Sequence, residues 1–190
     1  MKVWYIHGAN ASPLSFSFLT SKIRPHLYEE ISYSNDVPLA QTVAELRRKA
    51  VLADEPLAIV GHSLGGVIAA AIAQTADVEK VVTLAAPFGG STTAAMLQYF
   101  TRSQLIRDIV PSSSVLASVR MNPPQTKMLS FVTDANIDTL GERGDGVVTI
   151  SSQKALTGTV YEITDHNHFE VLLSGTVARQ IDRFLFGNSG

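Results

Sequence analysis

The sequence predicts an α/β sandwich built on a mostly parallel sheet of about six strands. Two observations carry that prediction. Short β-branched and aromatic runs recur at residues 2–7, 30–33, 57–61, 80–86, 127–133 and 159–163, with stretches of helical character between them. That alternation is what strand–helix–strand crossovers produce. Several runs are also apolar on both alternating faces, as in Ala58-Ile59-Val60 and Val81-Val82. Strands covered by helices on both sides have this composition.

Each helical stretch has its own logic. Residues 41–52 place Val43, Leu46 and Ala50 on one side and Glu45, Arg47, Arg48 and Lys49 largely elsewhere, an amphipathic pattern. Residues 67–76 are small and apolar nearly all round and read as a buried helix. Residues 171–186 carry Leu173, Val177, Ile181, Phe184 and Leu185 at helical spacing, with Arg179, Asp182 and Arg183 outside. Residues 89–124 depart from the alternation. The segment is long for one crossover and holds Met96, Leu97, Tyr99, Phe100, Leu105, Ile106, Ile109 and Val110, punctuated by Pro111 and Pro123-Pro124. It reads as one or two helices, either a small lid over the C-terminal edge of the sheet or an ordinary crossover packed on it.

The 190 residues suit a single domain, 1–190, with 89–124 as its one excursion. The absence of cysteine excludes disulfides, thiolate catalysis and zinc sites with Cys ligands. A net charge of -2 offers no electrostatic footprint for nucleic acid and no polybasic patch for a membrane surface. No apolar run approaches the length of a membrane span, and Val3-Trp4-Tyr5-Ile6 is too short for the core of a signal peptide. The expectation is a cytoplasmic protein without stable membrane insertion. No metal or cofactor is expected. Asp134, Asn136 and Asp138 superficially resemble a calcium loop, but Thr139 stands where its sharp turn needs glycine.

The chemistry-bearing motif is Gly61-His62-Ser63-Leu64-Gly65-Gly66, between a buried strand and a small-residue helix. It fits G-x-S-x-G with Ser63 at the centre. A nucleophile on a sharp strand-to-helix turn has strained dihedrals, and glycine on either side relieves backbone crowding. The helix that follows aims its free N–H groups at the site. The bland alternative is a tight turn in which Ser63 caps the helix. His62, next to the serine, cannot easily fold back as its base and reads as a packing or hydrogen-bonding residue.

A serine nucleophile needs a general base. Of the five histidines, only His166 and His168 follow the last predicted strand, on a loop at the sheet edge that carries the turn. The base in turn needs a carboxylate. Asp134, Asp138 and Asp145 follow the strand at 127–133, and Asp145 lies in Gly144-Asp145-Gly146-Val147-Val148, where the glycines permit a bend. Asp165 is limited to hydrogen bonds within its own loop. An oxyanion would need two backbone donors. Leu64 N–H, directly after the nucleophile, is one. The loop His7-Gly8-Ala9-Asn10 supplies the other, with Ala9 N–H as the candidate.

These motifs together resemble the α/β-hydrolase superfamily, and within it small lipase- and esterase-like members. Ile6-His7-Gly8 resembles the family's oxyanion strand end and Gly61-His62-Ser63-Leu64-Gly65-Gly66 its nucleophile elbow. Thr83-Leu84-Ala85-Ala86-Pro87-Phe88-Gly89-Gly90 resembles the strand and turn after the elbow in lipases. The run from Asp108 to Leu116 resembles a post-lid segment, Gly144-Asp145-Gly146 the acid turn, and His168 followed by Phe169 the base turn. The resemblance implies a compact α/β-hydrolase fold with a small or absent lid, short of the family's two N-terminal strands. It implies a catalytic order Ser63, Asp145, His168, with His166 as the alternative base. It further implies a carboxylesterase- or lipase-like enzyme acting on a small-molecule ester through an acyl-enzyme, with no cofactor. Acyl transfer, thioester hydrolysis and non-catalytic ligand binding on the same fold are the alternatives.

Overall fold

A computed structural model describes residues 1–24, 26–90, 110–139 and 141–187. The apolar positions Met96 to Ile109, and with them the question of a lid, lie outside the described residues.

Six parallel strands form the sheet: β1 (Lys2–Ile6), β2 (Tyr28–Ile31), β3 (Leu57–His62), β4 (Val78–Leu84), β5 (Lys127–Thr133) and, last in the sheet, a strand at Val160–Thr164. Two short strands precede that last one in the chain, β6 (Ile137–Asp138) and β7 (Arg143–Gly144), and they pair antiparallel as a separate ribbon. The sixth strand of the sheet is therefore β8, and the sheet order is β2-β1-β3-β4-β5-β8.

Period-2 alternation divides the core in two. Trp4, Ile6, Leu57, Ile59, Val81 and Met128 face one side. There they meet α2 (Leu39–Val51), α3 (Leu64–Ala73) and α4 (Ser114–Met121). Val3, Tyr5, Ala58, Val60, Val82, Leu84, Leu129 and Phe131 face the other. They are covered by α1 (Ser17–Lys22) and the C-terminal helix α6 (Gly175–Phe186), which follows the one-turn α5 (Ile150–Gln153). Arg24 grips Asp182 through Nε–Oδ1 at 2.9 Å and Nη2–Oδ2 at 2.7 Å, and so ties the end of α1 to α6. No helix of the described residues is long and apolar enough to cross a membrane.

The chain runs from β1 outward to β2, then returns to place β3 on the other side of β1. The connections leaving the C-terminal ends of β1 and β3 thus run in opposite directions along the sheet, a switch point of the kind at which open parallel sheets accept ligands.

The departures from the predicted elements are instructive. α3 begins at Leu64, three residues earlier than its apolar pattern suggests, and its first turn abuts the end of β1 at Gly65. A Cβ on Gly65 would lie 1.9 Å from the Ile6 carbonyl oxygen. The predicted helix over 171–186 is broken in two. A 3-10 turn spans Glu170–Leu173, and Ser174 then caps α6 by accepting the Val177 N–H at 3.3 Å. Leu173, placed by its spacing on the buried face, is exposed as a result. The described part of the long excursion, α4, sends Leu116 and Val119 into the core against α3. A further 3-10 turn at Pro13–Phe16 and helix α1 had no clear periodic signal.

Candidate functional site

Ser63 sits between β3 and α3 with φ 53° and ψ −122°. A residue bearing a Cβ pays about 1–3 kcal/mol for such a conformation. The turn is held at both ends, by Ser63 N–H donating to Leu84 O at 2.8 Å and Gly66 N–H donating to Ser63 O at 2.9 Å. A Cβ on Gly61 would lie 2.3 Å from Gly65 O, so glycine at 61 is a steric requirement of the turn. The hydroxyl does not cap α3, and among the described residues it has no hydrogen-bond partner, His168 included. The bland reading of Ser63 as a helix cap therefore does not describe it.

The loop after β1 comes close to this turn. A Cβ on Gly8 would stand 3.1 Å from Ser63 Cβ and 3.2 Å from His62 Nδ1. His7, stacked on Tyr33 at 4.4 Å between ring centroids, donates Nδ1–H to Gly8 O at 2.8 Å. Burial lowers the His7 pKa, against an opposing pull from that bond. Because a trans peptide holds its C=O and N–H on opposite sides, this bond turns the Ala9 N–H away from the His7 ring. Neither Ala9 N–H nor Leu64 N–H donates a hydrogen bond among the described residues, and Leu64 opens α3 with its helix-end partial positive charge.

Asp145 follows the ribbon strand β7. Its Oδ1 accepts Val147 N–H at 2.9 Å and Val148 N–H at 2.7 Å, an Asx turn built where Gly146 takes φ 91°. Its Oδ2 accepts His168 Nδ1–H at 2.8 Å and the Thr133 hydroxyl at 2.5 Å. Gln153, fully buried, secures Thr133 from both sides, accepting its N–H at 2.8 Å and donating to its carbonyl at 3.0 Å. Burial pushes the Asp145 carboxyl up. The bond and charge of His168, with the Thr133 and Val148 donors, outweigh it and leave the pKa below the ordinary value.

His168 is buried on the loop between β8 and the Glu170–Leu173 turn. A reciprocal cap builds that loop: Asn167 N–H donates to Glu170 Oε2 at 3.0 Å, and Asn167 Oδ1 accepts Phe169 N–H and Glu170 N–H at 2.9 Å. His168 N–H donates to Asp145 O at 3.3 Å, and His62 Nε2 lies 2.8 Å from His168 O. The His62 and His168 rings are 5.0 Å apart. Burial, then the nearby His168, drive the His62 pKa down to about 3.

The structure thus brings Gly8, His62 and Ser63 together at one point and Asp145 and His168 into one buried pair, with His62 bridging the two groups. Other candidates are occupied elsewhere. His166 Nδ1 bonds to Thr164 Oγ1, and its nearest carboxylate is exposed Asp165 at 3.9 Å. Asp134 pairs with Arg143 at 2.8 Å, and Asp138 accepts Gly141 N–H at 2.6 Å. His26 bonds Tyr5 and Arg24 beside the start of β2, at the opposite edge of the sheet. Sequence reasoning missed Thr133 and Gln153. Thr133 had one signal, its place as the last residue of a strand at the site edge. Gln153 lies in a one-turn helix with no periodic pattern and had none.

The architecture matches solved α/β hydrolases. The mature lipase BlEst2 of Bacillus licheniformis aligns over 97% of this chain and 91% of its own, at 19% identity and a TM-score of 0.73. The metagenomic carboxyl esterase MGS0156 aligns over 97% of this chain and 74% of its own, at 13% identity and a TM-score of 0.71. Phospholipase PlaB of Legionella pneumophila aligns over 98% of this chain and 59% of its own, at 15% identity and a TM-score of 0.69. No curated protein matches the sequence. The sequence model of an uncharacterised family, UPF0227, matches residues 2–101, which take in β1, the loop after it and the whole serine turn. The chain has the α/β-hydrolase fold and belongs to the uncharacterised protein family UPF0227.

Proposed function

We propose that this protein is a serine hydrolase that cleaves carboxylic esters through an acyl-enzyme on Ser63. The observation that carries the reading is the buried Asp145–His168 pair, in which the carboxylate takes Nδ1–H at 2.8 Å and leaves Nε2 as the basic nitrogen. His168 Nε2 accepts the Ser63 proton as Oγ attacks the acyl carbonyl. The Leu64 and Ala9 amides hold the oxyanion. His168 returns the proton to the leaving alkoxide, then activates the water that clears the acyl group. A hydroxyl not engaged in capping, on a strained turn, supports Ser63 as the nucleophile. Hydrogen bonds of such sites are often long without substrate and tighten when it binds. Three solved proteins of this fold bear the names lipase, carboxyl esterase and phospholipase, which supports an ester as the substrate.

The test is covalent labelling by a fluorophosphonate, with the adduct located by peptide mass spectrometry, alongside turnover of short p-nitrophenyl esters. Labelling at Ser63 in the folded protein only is expected. Turnover is expected to fall by about 10³-fold or more in Ser63→Ala. Undiminished turnover in that variant overturns the reading.

A further inference from the structure

We propose that His62 is a positioning residue that ties the base loop to the nucleophile turn, an inference that rests on the Ser63, His168 and Asp145 reading above. His62 ends β3 and is covalently joined to Ser63, and its Nε2 lies 2.8 Å from the His168 carbonyl oxygen. A carbonyl only accepts, so His62 is the Nε2–H tautomer and carries its lone pair on Nδ1. The backbone around His168 is gripped at three points. Its N–H is held by Asp145 O, its C=O by His62, and the next N–H, of Phe169, by Asn167 Oδ1. The first grip belongs to the acid loop and the third to the base loop itself. Among the described residues, only the His62 grip comes from the segment that bears the nucleophile.

The second nitrogen argues that this bond is the reason for the imidazole. His62 Nδ1 is buried and has no partner among the described residues. A buried acceptor left unmade is costly, and an apolar side chain of similar size would avoid that cost. What the imidazole supplies in exchange is the Nε2–H donor. The titratable groups facing it are His168, Asp145 and His7. Burial and His168 keep the ring uncharged well into the acid range, so it remains a neutral donor while His168 accepts and releases its proton.

The experiment compares wild type, His62→Gln and His62→Met on a short p-nitrophenyl ester, with Ser63→Ala as the blank. Glutamine sets an amide N–H near the position of Nε2, and methionine fills the space without a donor. His62→Met is expected to lose about 10–100-fold in kcat with KM changed less than about threefold, because a misplaced base costs rate rather than binding. The fluorophosphonate labelling rate should fall in parallel, and His62→Gln should recover most of both. Long-range ¹H–¹⁵N spectra should show wild-type His62 as the Nε2–H tautomer. The His168 Nδ1–H resonance should broaden in His62→Met and not in His62→Gln. Wild-type kcat in the methionine variant, equal loss in both variants, or an Nδ1–H tautomer for His62 each overturns the proposal. If the methionine variant is unfolded by thermal melt, the tautomer and the glutamine rate decide. If Ser63→Ala keeps full turnover, the ester reading itself has failed, and the His168 resonance in the two variants alone judges the tie.

Discussion

His168 Nδ1 lies 2.8 Å from Asp145 Oδ2, and both side chains are almost wholly withdrawn from water. The carboxylate also accepts Thr133, Val147 and Val148, so its orientation is set before His168 arrives. In Asp145→Asn an amide hydrogen would face Nδ1 and favour the opposite tautomer. The expected result is a loss of about 10³–10⁴-fold in kcat at neutral pH, measured on an activated ester.

Thr133→Val keeps the shape and removes the hydroxyl that donates to Asp145. Two consequences are expected. The kcat should fall by about tenfold while KM holds, since only the aim of the carboxylate is loosened. The Asp145 pKa should rise towards its ordinary value, because one of the donors that lowers it is gone. Acid unfolding followed by circular dichroism should then begin at a higher pH in the variant than in wild type.

The stability of the protein should decline as the solution is acidified below the ordinary histidine pKa. His62 is held at about 3 in the folded chain against 6.5 for a free histidine. Between those values the unfolded chain binds a proton that the folded chain refuses, so the folded state loses ground as pH falls. His7, also lowered, has the same sign. Asp145, lowered from 3.8, adds a loss at still lower pH, as it is protonated. Urea midpoints of wild type and His62→Gln measured from pH 7 to pH 4 should diverge, with the wild type the steeper by at most about 1.4 kcal/mol per pH unit. Parallel lines would show that His62 protonates without cost.

Gly65 tests the contact between α3 and the end of β1. In Gly65→Ala the new Cβ would meet Ile6 O at 1.9 Å and His7 O at 2.6 Å, both backbone atoms that cannot rotate away. The variant should be destabilised by about 3 kcal/mol or more, a fall of roughly 6–12 °C in Tm. Gly158→Ala is a useful contrast. It meets no neighbouring atom, and its cost comes only from φ 76°. Comparable melting temperatures for the two variants would show that α3 can back away from β1.

The strands were legible because covering a parallel sheet on both faces leaves short β-branched runs such as Ala58-Ile59-Val60 and Val81-Val82, set apart from the buried helix at 67–76 by that helix's greater length and its alanines. The serine turn was legible because its glycines mark, within six residues, a steric need of the backbone. The two glycines answer it differently, however. Gly61 avoids Gly65 across the turn, whereas Gly65 avoids β1, a contact 59 residues distant that no local pattern encodes. The choice between His166 and His168 was beyond spacing alone, since both lie on one loop. What separates them in space is that His168 meets Asp145 while His166 meets Thr164. The break at Ser174 escaped the helical pattern because a cap and a 3-10 turn preserve most of its apolar spacing.

The sheet order has a consequence for how the protein is made. Ser63 and the loop at Gly8 belong to the first third of the chain, and β1, β3 and β4 are neighbours in the sheet. They can assemble on one another while synthesis continues. Asp145 and His168 follow β5 and flank β8, at the other side of the sheet and more than eighty residues after Ser63 in the chain. A chain still on the ribosome would carry the proposed nucleophile without the means to activate it. Reactivity towards esters would appear abruptly, when the last strand docks, and every truncated product ending before His168 would be inert.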